Sequence, residues 1–352
     1  MTLCRGAVHG SLRETVHHIA RWDLDKTYLR TEFDTLRDLV RTALERADEK
    51  RTNPGAMTLM REMARDDSEI HILSGSPEQM RRRLEDKLRL DGITWKSFTL
   101  KPNLKNALRL RFRAIKDQLG YKLPMLLAAR AGISVPEGEP LPRETLFGDD
   151  AEADAFVYSV YADFVSGRIG EETLVEVLER GNVYEDVIEA AVHSAKKLVR
   201  GDAIERVLIH LEGQSPPGDF HMYGARAVPF YNYLQAAFVV FEDRRILPEA
   251  VFRVGAELVT AHRFDGDQLA RSYRDLVRRG HLRGTRIKDL QESEDAVAQV
   301  ATPSEAKALR VMLDRLPALS EEARGTFDAR LDTPVPDYVS LVGKHNKRRK
   351  KA

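Results

Sequence analysis

Short apolar runs alternate with helical patterns along the first half of the chain. Runs rich in apolar and β-branched side chains predict strands at 16–22, 69–73, 94–100 and 144–147. Between them, apolar residues recur at helical spacing, which predicts helices at 32–49, 56–64, 77–90, 122–131 and 151–165. Strands that alternate with helices are typical of a parallel sheet with helices on both faces. We therefore expect an α/β, Rossmann-like fold in this half.

The pattern changes after residue 169. Helical spacing dominates there, interrupted by turns that contain Gly and Pro, and no strand is expected. The segment Tyr231–Phe241 is apolar nearly all round, which predicts a buried central helix. We predict an α/β domain at 1–168, an all-helical domain at 169–335 whose role the sequence leaves open, and a basic, disordered tail at 336–352.

Polar residues follow three of the predicted strands. Asp23 and Asp25 come after the first strand, Ser74 after the second and Asp149 after the fourth. In open parallel sheets, ligands bind at the carboxyl ends of the strands. We therefore expect these residues to meet at one site.

Asp23 and Asp25 place two carboxylates close together, because alternate residues of an extended chain point to the same side. Such like charges repel each other, and a bound cation relieves the repulsion. We expect Asp23 to attack a phosphorus atom as nucleophile and Asp25 to act as general acid and base. Mg²⁺ would bind Asp23, the backbone carbonyl of Asp25 and a third carboxylate. The alternative is a loop that carries two solvated aspartates.

The other candidates each have a structural alternative. Ser74 is placed to donate a hydrogen bond to a phosphate oxygen, or it is a turn residue, whereas Ser76 followed by proline is the pattern of a helix N-cap. Lys122 would supply a fixed positive charge beside the phosphate, although alone it resembles any surface lysine. Asp149 and Asp154 would complete the metal site; the alternative is that Asp149 or Asp150 caps the helix that follows, and both can hold with one aspartate for each task.

Composition excludes several classes of protein. The chain has 352 residues and a formal net charge of +1, so it is not a polyanion binder as a whole. Its single cysteine, Cys4, excludes an intrachain disulfide and a cysteine-based metal site. The segment 1–21 lacks the apolar core of a signal peptide, and the longest apolar run, 234–241, is too short to span a membrane. We expect a cytoplasmic protein.

Four motifs, in this order, resemble those of the haloacid dehalogenase (HAD) superfamily of phosphohydrolases. That superfamily has D-x-D-x-T after strand one, a Ser or Thr after strand two, then a Lys, and G-D-x-x-x-x-D after strand four. The corresponding residues here are Asp23, Asp25, Thr27, Ser74, Lys122, Gly148, Asp149 and Asp154. The resemblance implies a HAD-like fold and a Mg²⁺-dependent phosphatase that forms an aspartyl-phosphate.

The resemblance also assigns roles to residues of this chain. It implies that the catalytic residues are Asp23, Asp25 and Lys122. It implies phosphate binding by Ser74, Gly75 and Thr27, and metal binding by Asp23, Asp25, Asp149 and Asp154.

A closer resemblance covers residues 16–168 and is to the phosphatidate phosphatase catalytic domain associated with yeast actin patches, a family with many bacterial members. Besides the motifs above, it is carried by Pro54-Gly55, Ser74-Gly75-Ser76-Pro77 and Tyr158. It implies that the substrate is phosphatidate or a related phospholipid, and a role in lipid metabolism. This chain departs from that family at Lys26, Gly75 and Asp150-Ala151, where the family has Asp, Asn and Ser-Gly, which leaves the substrate open.

Other functions stay open beside this one. The chain could be a phosphatase for a soluble phosphometabolite or a phosphoprotein, a phosphotransferase, or a non-catalytic scaffold that acts through its helical half. The basic segment 344–351 could contact anionic lipid, bind nucleic acid, or form a solvated disordered end. We expect a phosphorylated substrate, no specific nucleic-acid partner, and a peripheral place at the membrane if the tail binds lipid.

Overall fold

A six-stranded, all-parallel sheet lies at the centre of the molecule. The computed structural model describes residues 18–30, 50–101, 118–136, 138–324 and 333–342. The strands are β1 His18–Trp22, β2 Ser68–Pro77, β3 Ser97–Lys101, β4 Arg143–Asp149, β5 Ile204–His210 and β6 Ala227–Phe230. Their order in the sheet is β3-β2-β1-β4-β5-β6, and all neighbouring pairs are parallel. The α/β fold expected from the alternating pattern is confirmed.

Helices of very different length surround the sheet. Those of the first half and the middle of the chain are α1 Ala56–Arg65, α2 Arg81–Leu90, α3 Lys122–Ala131, α4 Asp154–Val165, α5 Glu171–Arg180 and α6 Glu185–Ala195. Those that follow the sheet are α7 Tyr233–Glu242, α8 Pro248–His262, α9 Gly266–Arg278, α10 Ile287–Glu292, α11 Val297–Val300 and α12 Pro303–Arg324. No helix in the described ranges is both long and apolar enough to cross a membrane. The predicted helix at 32–49 and the basic segment at 344–351 lie outside the described residues.

Two hydrophobic cores lie on opposite faces of the sheet. Phe147 in β4 and Leu208 in β5 belong to the core that α1, α2 and the helices from α7 onward complete. Their neighbours Leu146 and Ile209 belong to the core formed with α3, α4, α5 and α6. Successive strand residues point to opposite faces, so this alternation places helices on both sides, as the sequence predicts.

The expectation that the chain after residue 169 carries no strand is wrong. Strands β5 and β6 lie there and extend the sheet beyond β4. The charged residues Glu205 and Arg206 near the start of β5 interrupt its apolar pattern, yet they form ion pairs with Arg245 and Asp243. β6 has four residues, contains a proline and pairs with β5 alone, as expected of an edge strand. The rest of 169–335 is mainly helical.

The buried central helix predicted for Tyr231–Phe241 is confirmed as α7. Its residues from Tyr233 to Phe241 are all buried. They pack in the core that also contains Trp22 and Phe147. This helix therefore links the helical half of the chain directly to the strands that carry the candidate site.

Candidate active site

Strand register brings the predicted residues to one edge of the sheet. Trp22, the last residue of β1, lies level with Phe147 in β4. The next residue, Asp23, donates its backbone N–H to the carbonyl of Phe147 at 2.9 Å. The rings of Trp22 and Phe147 stack with centroids 3.7 Å apart. Asp23, Ser74 and Asp149 thus lie at the carboxyl ends of adjacent strands β1, β2 and β4.

Three aspartates form a buried acidic cluster at this edge. Carboxylate oxygens of Asp23, Asp149 and Asp154 all lie within 4.8 Å of one another, and all three residues are 0% exposed. Asp23 Oδ2 has no hydrogen-bond partner among the described residues, and Oδ1 faces the ammonium group of Lys122. Oxygens bound on opposite sides of one hard cation lie about 4 to 5 Å apart. The orphaned Oδ2 and the spacing therefore fit a metal ion, which these residues could hold.

Lys122, the first residue of α3, is the cation of the cluster. Its Nζ lies 3.0 Å from Asp23 Oδ1 and 2.5 Å from Asp154 Oδ1. It also lies 3.0 Å from Oε2 of Glu152, a residue that the sequence gave no reason to select. One ammonium group thus faces several carboxylates, so the described cluster keeps an excess of negative charge that a bound cation would reduce.

The electrostatics of the cluster follow from its burial. Burial raises the pKa of Asp23 well above its usual range, and Lys122 opposes the rise while Asp154 adds to it. Burial and then Asp154 raise the pKa of Asp149 in the same way. For Asp154, burial raises the pKa to about 6 against the opposing charge of Lys122. Burial acts to lower the pKa of Lys122, but contact with Asp154 and Asp23 outweighs it and raises that pKa.

The loop after β4 wraps around the side chain of Asp149. Its Oδ1 accepts hydrogen bonds from the backbone of Ala151 at 2.7 Å and of Glu152 at 3.0 Å. Asp154 Oδ2 accepts one from the backbone of Asp149 at 3.3 Å. As a result α4 begins at Asp154 rather than at 151 as the pattern predicts. Asp149 therefore does not cap α4, whose N-cap is Ala153 and has no side-chain hydrogen bond. Its side chain holds the loop before the helix and belongs to the acidic cluster.

Asp25 lies apart from the acidic cluster and is held by two serines. Its Oδ2 accepts hydrogen bonds from Ser74 Oγ at 3.0 Å and from Ser76 Oγ at 2.7 Å. The interpretation of Ser76 as a helix N-cap is wrong, because β2 extends through Pro77 and the short helix after it has no side-chain cap. Burial raises the pKa of Asp25, against the hydrogen bond from Ser76. With 8% exposure it reaches the surface more than Asp23 does.

The remaining predicted residues lie beside these groups. Thr27 Oγ1 donates to Asp149 Oδ2 at 3.3 Å, so its described contact supports the acidic cluster. A Cβ on Gly75 would meet no heavy atom within 4 Å, so there is free volume beside Ser74. The carboxylate of Asp25 is not one of the three clustered groups. Phosphate binding by Thr27 and Gly75 and metal binding through the carbonyl of Asp25 stay predictions.

Three side chains that the sequence did not point to hold the loop after β1. Asn53, His210 and Tyr233 all contact backbone carbonyls of Lys26 or Thr27. From the sequence, the neighbouring Pro54-Gly55 contributes only to the closer resemblance, and Tyr233 is only part of the predicted buried helix. His210 and Tyr233 lie more than a hundred residues away along the chain, in the half expected to be separate.

Comparison with known protein families, with curated proteins and with solved structures finds no match for this chain. The site is therefore interpreted from its own geometry.

Proposed function

We propose that this chain is a Mg²⁺-dependent phosphomonoester hydrolase that works through an aspartyl-phosphate on Asp23. The observation that supports this most is the state of the Asp23 carboxylate. It is fully buried, its Oδ2 has no hydrogen-bond partner among the described residues, and it lies among Asp149, Asp154 and Lys122. Lys122 favours the ionised form of Asp23 against the effect of burial on its pKa, and a bound cation would do the same. An ionised carboxylate beside fixed positive charge suits nucleophilic attack on a phosphate.

The reaction divides into two displacement steps at phosphorus. In the first, a carboxylate oxygen of Asp23 bonds to phosphorus, the bond to the ester oxygen breaks, and Asp25 gives its proton to that oxygen. In the second, Asp25 takes a proton from water while the water oxygen bonds to phosphorus. The bond to Asp23 then breaks, releasing phosphate and restoring both carboxyl groups. The raised pKa of Asp25, caused by burial, suits a group that starts as an acid.

The surroundings of Asp23 are suited to the charge of this reaction. Lys122 keeps a positive charge next to the attacking oxygen, because Asp154 and Asp23 hold its pKa high against the effect of burial. Asp149 and Asp154 would hold Mg²⁺ together with Asp23, and the ion would reduce repulsion between the nucleophile and the phosphate. Ser74, beside the open space at Gly75, is the donor proposed to orient a phosphate oxygen, and its hydroxyl would turn to the phosphate from Asp25 Oδ2, to which it donates in this structure.

The substrate we propose is a phosphate monoester, with phosphatidate or a related phospholipid suggested by the resemblance of residues 16–168. A phosphatase for a soluble phosphometabolite or a phosphoprotein would use the same steps. Release of phosphate from phosphatidate vesicles, from soluble phosphate esters and from phosphopeptides, compared under one set of conditions, distinguishes these substrates.

The test of the reaction is Asp23→Asn with a generic aryl phosphate as substrate. The change removes the nucleophile and keeps the shape, so phosphate release in Mg²⁺ should fall more than about 10³-fold. Asp243→Asn is the matched control, because it makes the same change in an ion pair with Arg206 on the other half of the chain. It should keep wild-type turnover. Wild-type turnover in Asp23→Asn, or undiminished turnover in excess chelator, would overturn the proposal.

A further inference from the structure

The loop after β1 is held by side chains from two distant parts of the chain. Asn53 Nδ2 donates hydrogen bonds to the carbonyl of Lys26 at 3.1 Å and of Thr27 at 2.7 Å. The hydroxyl of Tyr233 donates to the carbonyl of Thr27 at 2.6 Å. Nδ1 of His210 donates to the carbonyl of Lys26 at 3.3 Å. These three side chains are called the loop clamp below.

The loop needs such support because its backbone is unusual. Lys26 has φ of 62°, in the left-handed region that residues with a side chain rarely adopt. The backbone N–H groups of Tyr28 and Leu29 both donate to the carbonyl of Leu24, at 3.0 Å and 2.8 Å. The chain therefore turns back on itself immediately after Asp25. The direction of the Asp25 carboxylate depends on this turn.

Tyr233 is fixed at the centre of the clamp. Only 1% of its surface is exposed, and its ring packs edge-on against Phe230 with centroids 5.1 Å apart. A Cβ on Gly55 would lie 2.8 Å from Tyr233 Cβ, so the turn that carries Asn53 reaches Tyr233 only because residue 55 is glycine. Gly55 also has φ of 86°, which suits glycine. The turn that carries Asn53 therefore packs directly against Tyr233.

We propose that Tyr233, together with Asn53 and His210, positions the loop that carries Asp25, so that the second half of the chain is a working part of the active site. The described hydrogen bonds from the clamp to the loop all end on backbone carbonyls. The clamp therefore acts on the reaction through Asp25, which Ser74 and Ser76 hold from the other side. This inference rests on the proposed phosphatase function. It gives a role to β5 and α7, which carry His210 and Tyr233.

The test is Tyr233→Phe, which removes one hydroxyl and keeps the ring. With an aryl phosphate and Mg²⁺, kcat should fall about tenfold at unchanged KM, because the substrate contacts remain while Asp25 is less well placed. Amide hydrogen exchange at Tyr28 and Leu29 should become faster, since their bonds to Leu24 close the turn. Tyr273→Phe is the matched control, a tyrosine 3% exposed that packs against Phe238 and away from the loop. It should change neither kcat nor this exchange.

The outcomes separate the clamp from the phosphatase proposal. If the wild-type protein releases no phosphate from any ester, the phosphatase proposal fails, and the exchange at Tyr28 and Leu29 still decides whether the clamp holds the loop. If Tyr233→Phe left kcat and the amide exchange unchanged, even with a lower melting temperature, the proposal that the clamp positions the loop would be overturned. Should Tyr233→Phe not fold, Asn53→Ala takes its place, because it removes two donors from the other side of the loop. The same fall in kcat is expected of it, and wild-type kcat would overturn the inference.

Discussion

Gly148 determines how closely the acidic cluster packs against the end of β4. A Cβ at this position would lie 2.5 Å from Asp154 Oδ2, 2.6 Å from Asp154 Cβ and 2.8 Å from Tyr158 Cε2. These distances are shorter than any normal contact, so Asp154 would have to move away. The glycine of the G-D motif is thus required for space beside a carboxylate of the acidic cluster.

Gly148→Ala should displace Asp154 and disturb both packing and Lys122. We expect a loss of about 1–3 kcal/mol in the free energy of unfolding, measured by chemical denaturation, because overpacking forces neighbours from their positions. Gly218→Ala is the control, since a Cβ there would meet no atom within 4 Å. Equal stability of the two variants would contradict this account of Gly148.

At this scale, part of the site can be predicted from the sequence. The sequence predicts that Asp23, Asp149 and Asp154 come together, because the motifs that contain them specify the residue types and their positions after the strands. Ser76 was misjudged because serine before proline is typical of a helix start, whereas the extended backbone continues through Pro77. Glu152 contacts Lys122 from 30 residues away, and no local pattern reports such a contact.

Among the elements, β1, β4, α3 and α4 are joined by a buried ionic network centred on Glu144. Glu144 in β4 accepts hydrogen bonds from Arg21 Nε at 2.7 Å, Arg130 at 2.8 Å and the Tyr161 hydroxyl at 2.9 Å. Glu144 is 0% exposed. Burial would raise its pKa, but the charges of Arg21 and Arg130 lower it to about 2.

This network should make stability depend on pH in acid. A carboxyl whose pKa is lower in the folded than in the unfolded protein stabilises the fold above its ordinary pKa, and this stabilisation is lost as pH falls toward the folded value. For Glu144 that interval runs from its ordinary pKa of 4.5 down to about 2. Chemical denaturation at pH 6 and pH 3 should show a loss that Glu144→Gln lacks, of up to about 2 kcal/mol, because pH 3 crosses only the upper part of this interval.

Glu292→Gln is the control for this pH dependence. Its side chain is 65% exposed in a pair with Lys288, and exposed pairs contribute little to stability. Its loss of stability between pH 6 and pH 3 should equal that of the wild type. A Glu144→Gln protein that loses as much stability in acid as the wild type does would contradict the role given to the network.

The elements themselves could be predicted where pattern and length agree. The sequence predicts β1 although His18 and Arg21 make it less apolar than a central strand usually is. The structure accounts for both, since Arg21 pairs with Glu144 and His18 contacts Ser68 and Thr145. β5 and β6 were missed because charge near the start of one and the shortness of the other hide the strand pattern. The ion-pair partners of Arg206 and Glu205 in β5 lie 37 and 40 residues further along the chain.

For the whole molecule, the acidic cluster should couple folding to metal binding. A cation that binds only the folded state raises the free energy of unfolding, by about 3 kcal/mol at roughly 100 times its Kd. Adding Mg²⁺ to metal-free protein should therefore raise the melting temperature, and Asp149→Asn should reduce the rise. The measurement needs no substrate, so it tests the metal site apart from the reaction.

Asp202→Asn is the matched control for the thermal measurement. Its carboxylate is 78% exposed and faces Arg143 at the other end of β4. It should keep the full response to Mg²⁺. Metal binding by the three aspartates would be contradicted if Mg²⁺ left the melting temperature of the wild type unchanged. It would also be contradicted if Mg²⁺ raised the melting temperature of Asp149→Asn as much as that of the wild type.

The continuation of the sheet past β4 limits how this protein can be divided. The sequence pattern changes near residue 169, so a truncated variant designed from the sequence would end there. A fragment that ended there would leave β4, Arg143–Asp149, with a bare row of backbone N–H and C=O groups along the side that now pairs with β5. Exposed edges of this kind recruit strands from other molecules. The change of sequence pattern near residue 169 is therefore not a boundary between separable units. An intact sheet needs β5 and β6, and α7 with the helices after it completes one of the two cores.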